Sequence, residues 1–189
     1  QADRKDVIGF DTGPGMSLID ECVHYFWSKK CDYNGKYSIE GRINEDMLDY
    51  LTQKTPFILS DPPKSTGRED FGKKTLLEII KRYNDLKPVD ILRTLVKFTS
   101  LSIKLNVEKF ILTNHSIDQI IISGGGLDHP VLISDIKKDL DIPIINMIDY
   151  GVKSKFKEGL LMAVLGYSKI NKIKSNMPSV TGASNEVIL

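Results

Sequence analysis

Ile117-Asp118-Gln119-Ile120-Ile121-Ile122-Ser123-Gly124-Gly125-Gly126 reads as a buried strand that stops at three consecutive glycines, and His129-Pro130 then opens a helix. Ile142 to Met147 repeats the pattern as a second buried strand, followed by a helix from Ser154 to about Ser168 with Phe156, Leu160, Ala163 and Val164 facing inward. Upstream, Val7 to Phe10 is a short apolar run that ends at Asp11. The Gly13-Pro14-Gly15 that follows forces a sharp turn before a helix, Met16 to about Ser28, with Leu18, Ile19, Cys22, Val23 and Phe26 on one face. Strands alternating with helices and ending in glycine predict an α/β sheet whose ligands sit off the strand ends.

Between these parts the chain reads as helix and loop. Asp32 to Gly41 is a polar loop or hairpin. Asn44 caps a helix carrying Met47, Leu48 and Leu51, which Pro56 stops. Asp61-Pro62-Pro63-Lys64-Ser65-Thr66-Gly67-Arg68-Glu69 is excluded from helix and central strand by its prolines and reads as a rigid charged loop. Leu76, Leu77, Ile80 and Tyr83 mark another helix, and Pro88 sits in the first turn of a longer one that runs past Ile103. No repeat, low-complexity tract or linker interrupts residues 1–189, so one domain is expected.

Composition excludes several classes. Hydrophobic residues make up 41% and charged residues 27% of the 189, an ordinary globular balance. With 26 basic and 25 acidic side chains the net charge is +1, which gives no field to gather nucleic acid or an anionic membrane. Cys22 and Cys31 form no CxxC pair, so neither a disulfide framework nor a zinc site is expected, and Cys22 reads as core. Gln1 to Asp6 carries no apolar leader and no apolar run approaches the ~18 residues of a membrane span, so a cytoplasmic location is expected. His24, His115 and His129 lack ligand spacing, and GxSxG, GxGxxG and GxxxxGK[ST] are all absent, against a serine hydrolase, a Rossmann dinucleotide site and a P-loop.

Three segments can carry chemistry. Asp11, where a strand ends and a glycine turn begins, holds a carboxylate on a rigid support: either a base facing a cleft or a group that satisfies turn amides. Gly124, Gly125 and Gly126 leave bare amides beside a helix N-terminus, suited to phosphate or a nucleotide, or simply let strand and helix pack closely. Lys64, Arg68 and Glu69 either clamp an anionic or hydroxyl-rich ligand or form a solvated, salt-bridged loop.

Taken in order, Gly9-Phe10-Asp11-Thr12-Gly13-Pro14-Gly15, Pro62-Pro63-Lys64-Ser65-Thr66-Gly67-Arg68-Glu69, Ser123-Gly124-Gly125-Gly126, Lys157-Glu158 and Thr181-Gly182-Ala183 resemble the anhydro-N-acetylmuramic acid kinase family, which includes fungal levoglucosan kinase-like proteins. The resemblance implies an actin-like, hexokinase-like ATPase fold of the ribonuclease H-like kind, with a mixed sheet flanked by helices. It places residues 1–189 as the C-terminal lobe of a two-lobed sugar kinase whose N-terminal lobe this chain lacks. It implies an ATP- and Mg²⁺-dependent kinase that opens a 1,6-anhydro bridge and phosphorylates the freed 6-oxygen, with Asp11 as the base that activates water. Gly13, Gly124, Gly125 and Gly126 match nucleotide-side positions. Thr12, Arg68 and Glu158 match sugar-side positions, and Glu158 also matches a contact to metal through water. Its partners would be ATP and a small anhydro sugar, with neither nucleic acid nor membrane, and pairing of two copies through one lobe is a further expectation. The chain departs from the family at Met16 and His129, where asparagine is usual; methionine offers no carboxamide donor or acceptor, and histidine replaces it in part. These departures and the missing lobe leave a second reading, a non-catalytic nucleotide- or sugar-binding protein, and the pairing that the resemblance implies leaves a third, an oligomerisation unit.

Overall fold

The computed structural model describes residues 7–189; Gln1 to Asp6, read above for a leader, lies outside the described residues. The chain divides into two compact units, one of Thr12–Ser60 and Thr66–Asn146, the other comprising residues 7–11, Asp61–Ser65 and Met147–Leu189. The described residues are mostly helical, with one parallel pair of strands.

The larger unit is built around a long helix. Its helices are α1 (Ser17–Trp27), α2 (Glu45–Lys54), α3 (Lys73–Arg82), α4 (Pro88–Val107) and α5 (Pro130–Leu140), and its strands β1 (Ile120–Ile122) and β2 (Ile144–Asn146). Pro88 occupies the first turn of α4, where its missing N–H would be unpaired in any case. Asn44 caps α2 by accepting the Met47 N–H at 2.8 Å on its Oδ1, as its place in the sequence predicts. Ile91, Leu92, Leu95, Val96 and Phe98 of α4 are buried in one core with Leu18, Ile19, Cys22 and Val23 of α1, Met47 and Leu51 of α2, Leu76 and Ile79 of α3, and Leu132 and Ile136 of α5. Each such side chain contributes roughly 1.5–3 kcal/mol by leaving water. Cys22 is fully buried, and burial, with the Asp32 charge adding to it, pushes its thiol up to about 12.

β1, α5 and β2 form a βαβ unit. The strands are parallel with Ile120 opposite Ile144, Ile121 opposite Ile145 and Ile122 opposite Asn146. The mixed sheet implied by the resemblance is reduced to this parallel pair among the described residues. The Val7–Phe10 run forms no strand, because extended backbone becomes sheet only when a neighbour supplies a ladder.

Two ion pairs fasten α5 to α4. Arg93 grips Asp135 with two hydrogen bonds of 2.6 and 2.8 Å, and Lys97 meets both oxygens of Asp139, to which Ser100 Oγ also donates. Each helix contributes its two charges at four-residue spacing, so the pairs lie on facing ridges.

The smaller unit holds α6 (Lys157–Ile170) and α7 (Pro178–Thr181), with the turn Ser154–Phe156 ahead of α6. The expected inward face of α6 is exposed, Phe156 at 57%, Leu160 at 50% and Val164 at 52%. A helix apolar on all sides needs cover on all sides, and within its own unit α6 has only the short α7 and loops. No helix among the described residues is long and apolar enough to cross a membrane.

The Arg93–Asp135 pair is nearly buried, at 15% and 6% side-chain exposure, so removing one partner strands a charge. Asp135→Ala is expected to lower unfolding stability in urea by about 3 kcal/mol, and the double change Arg93→Met, Asp135→Leu to recover most of it. A single mutant as stable as the wild type would show that the pair does not fasten α5.

Candidate functional site

In the smaller unit, three of the segments singled out in the sequence meet. Asp11 is exposed, its Oδ2 accepts the Ser65 hydroxyl at 2.9 Å, and its N–H donates to the Lys64 carbonyl at 3.2 Å. The Lys64 ammonium lies 5.4 Å from the centroid of the Phe10 ring. The Thr181–Ala183 turn closes on the same loop, since a Cβ at Gly182 would come within 3.2 Å of Pro63 Cγ. Glu158 belongs to this unit as well, exposed in the first turn of α6, where the positive end of the helix favours a carboxylate.

In the larger unit the glycine turn leans on α4. Gly13 has φ +153°, a conformation L side chains rarely adopt, and a Cβ there would fall 2.8 Å from Ser102 Oγ, so glycine is required twice over. Asn106 Nδ2 donates to the Thr12 carbonyl at 3.0 Å and Thr99 Oγ1 to the Gly15 carbonyl at 2.9 Å. The sequence reading placed Thr99 on this helix without a role and did not single out Ser102 or Asn106, because a polar residue within a helix pattern does not announce a distant acceptor. Their spacing at 99, 102 and 106 on one helix face was the available signal.

The triple glycine stands between two clefts. One, of about 370 Å³, is mostly apolar, with Ile120, Ile122, Leu132 and Ile136 below Ser123 and Gly126. The other, of about 410 Å³, is lined by Asp20, Cys31, Asp32, Tyr33, Asp128 and His129. Met16 and Gly125 line both clefts. Gly124 turns with φ +98°, and a Cβ on Gly126 would touch Met16 Sδ at 3.6 Å. A third cleft of about 380 Å³ continues past Asp20 and Cys31 to Arg68, whose guanidinium is 3.8 Å from Glu21 Oε1. Arg68 therefore faces the Asp20 side of α1. The loop 62–69 is shared, with Pro62 to Ser65 in the smaller unit and Thr66 to Glu69 in the larger.

His129 does the work of a cap. Its Nδ1 accepts the Leu132 N–H at 3.1 Å, so the ring hydrogen sits on Nε2 and is donated to Asp32 Oδ2 at 3.1 Å. Burial would raise Asp32, but hydrogen bonds from His129, Ser38 and Tyr37 outweigh it and hold the carboxyl below its usual range. Met16 precedes α1 without any side-chain cap. Asp20, which the sequence did not flag, stands out: its Oδ1 is buried with no hydrogen-bond partner, and burial raises its carboxyl, with the Glu21 charge adding and the Arg68 and Lys30 charges opposing. A carboxylate perturbed by burial at the edge of a cleft is the kind of group that functional sites keep.

A glycine turn at the end of a parallel strand, beside clefts and a helix start, is the arrangement of the α/β class, in which ligands generally lie off the strand ends. Within that class the chain belongs to the anhydro-N-acetylmuramic acid kinase family, whose sequence profile matches residues 2–189. It is 39% identical over 186 residues to the anhydro-N-acetylmuramic acid kinase of Clostridioides difficile (strain 630), covering 97% of this chain and 48% of that protein. Against the same kinase of Francisella tularensis subsp. novicida (strain U112) it is 39% identical over 188 residues, 100% of this chain and 49% of the relative. Against that of Bacillus thuringiensis subsp. konkukian (strain 97-27) it is 38% identical over 192 aligned residues, 100% and 50%. The chain spans about half the length of the curated relatives it matches.

Two outcomes follow from this geometry. His129→Asn is expected to keep the α5 cap, whereas His129→Ala loses it, at a cost of about 1 kcal/mol in thermal unfolding; equal stability of the two variants would remove the cap role. Asp139 is also held low: burial would raise it, but hydrogen bonds from Lys97 and Ser100 and the lysine charges outweigh that. Asp32 and Asp139, held below 3.8, stabilise the fold above that pH, and the contribution is lost as pH falls through their lower native values. Asp20, raised above 3.8, acts oppositely and costs stability as pH rises through its raised value. Acid titration of unfolding should therefore show a shallower acid loss for Asp139→Asn, and Asp20→Asn should gain stability relative to wild type as pH rises from acid to 7.

Proposed function

We propose that residues 1–189 form the C-terminal, actin-like lobe of a cytoplasmic, ATP-dependent kinase that opens a 1,6-anhydro sugar and phosphorylates its 6-oxygen. The observation that carries this reading is the 2.9 Å hydrogen bond from Ser65 Oγ to Asp11 Oδ2, which joins the glycine turn and the PPKSTGRE loop at an exposed carboxylate in a chain of this family.

Asp11 takes a proton from water as the water oxygen bonds to the anomeric carbon. The bond from that carbon to the bridging 6-oxygen breaks, the 6-oxygen bonds to the γ-phosphorus of ATP, and the phosphorus–oxygen bond to ADP breaks. The Ser65 hydroxyl holds one oxygen of Asp11 in place, so the base is oriented before the sugar arrives. By the resemblance, the amides of Gly13 and of Gly124, Gly125 and Gly126 would serve the nucleotide, and Thr12, Arg68 and Glu158 the sugar. Mg²⁺, which neutralises charge on the transferring phosphoryl, is commonly held by one or two carboxylates with waters and the phosphates themselves. In this reading Glu158, exposed in the first turn of α6, would reach the ion through water. Pairing of two copies through this lobe belongs to the same reading.

The complete gene product, given Mg²⁺ and ATP with either levoglucosan or anhydro-N-acetylmuramic acid, is expected to release ADP only when its sugar is present. Asp11→Asn should slow release by about 10²–10⁴-fold while ATP affinity stays nearly intact. Binding of nucleotide or sugar with no ADP release would leave a non-catalytic binding protein. The bare side-chain cap at Met16 favours that second reading, whereas the working cap at His129 opposes it.

A further inference from the structure

We infer that Thr99 and Asn106 of α4 are positioning residues, which act on the proposed site by fixing the peptide planes of the Thr12–Gly15 turn. Asn106 is fully buried, and its Nδ2 bridges the Thr12 carbonyl at 3.0 Å and the Ser102 carbonyl at 2.8 Å. Thr99 is 1% exposed, and its hydroxyl donates to the Gly15 carbonyl at 2.9 Å. Ser102 Oγ, committed to the Thr99 carbonyl at 2.8 Å, fills the space beside Gly13.

The consequence follows from the planarity of the peptide bond. In a trans peptide the C=O and the next N–H point in opposite directions, and the one cis bond among the described residues is Pro62–Pro63. With the Thr12 and Gly15 carbonyls drawn toward α4, the N–H groups of Gly13 and Met16 are turned to the opposite side. Two donors from one rigid helix thus aim two amides of the turn, and helix rotation or sliding is resisted by the Arg93 and Lys97 pairs further along α4. The role rests on the reading that this turn meets nucleotide and sugar, but the grip itself can be measured without that reading.

Thr99→Val keeps the shape and deletes the donor, Thr99→Ser keeps the donor, and Asn106→Leu removes the carboxamide. Amide hydrogen exchange followed by NMR on this chain should quicken about fivefold at Met16 in Thr99→Val and at Gly13 in Asn106→Leu, the effect of losing one net hydrogen bond. In the complete gene product, kcat for sugar-dependent ADP release should fall at least about tenfold with KM little changed, since small misplacement of a reacting geometry acts on rate. Thr99→Ser should restore both quantities. Unchanged exchange in folded Thr99→Val and Asn106→Leu overturns the inference, as does quickened exchange with normal kcat. Should Asn106→Leu fail to fold, the Thr99 pair decides alone. A wild type that releases no ADP overturns the kinase reading and, with it, the catalytic part of this role; exchange then still decides whether α4 aims the turn.

Discussion

A buried helix cannot leave its polar side chains unpaired, and α4 carries Thr94, Thr99, Ser100, Ser102 and Asn106 below the surface. Each finds a partner in a different part of the larger unit or in α4 itself. Thr94 accepts the Asn44 N–H at the start of α2, Ser100 donates to Asp139 of α5, and Thr99 and Asn106 donate to the glycine turn. Apolar burial would let neighbouring helices slide over α4, because hydrophobic contact is non-directional. Hydrogen bonds fix their register. The same helix therefore supplies the cohesion of the core and the position of the turn that precedes α1.

The second ordering element is the buried His129–Asp32 contact. One imidazole caps α5 through Nδ1 and ties down the 32–38 loop through Nε2 and Asp32, which also accepts the Tyr37 and Ser38 amides. The loop that follows α1 and the helix that follows the triple glycine are thus held on one carboxylate. Both line the cleft beside Gly125. Asp20 lines it too, with an oxygen buried and unpaired, a cost that packing alone does not explain.

Much was legible in the sequence. The Asn44 cap, Pro88 in the first turn of α4, the isoleucine strand, the glycine stop and the helix after Pro130 were readable because each depends on local backbone preferences or on apolar periodicity. The burial expected of the two strands was not met, Ile121 being 46% exposed with only one neighbouring strand among the described residues. The proximity of Asp11 to the proline loop was carried by the resemblance, and the Ser65 contact gives it a physical form. Less legible was α6, whose apolar residues predict burial but say nothing of what covers them. Val7–Phe10 has strand composition without a strand, since pairing requires a neighbour that composition does not specify.

By itself the sequence determined the family, the order of helices α1 to α6, the two isoleucine strands on either side of α5, and the glycine turn after Asp11. These follow from propensity, periodicity and motif spacing, all of which act over a few residues. That the sheet among the described residues is one parallel pair, without Val7–Phe10, came from the fold. Tertiary structure alone decided that Thr99 and Asn106 hold the turn, that His129 reaches Asp32 across the chain, that Arg68 faces Glu21 and Asp20, and that Met16 separates two clefts. Each of these is a contact between residues tens of positions apart, set by how α4 packs and where its buried donors must find acceptors.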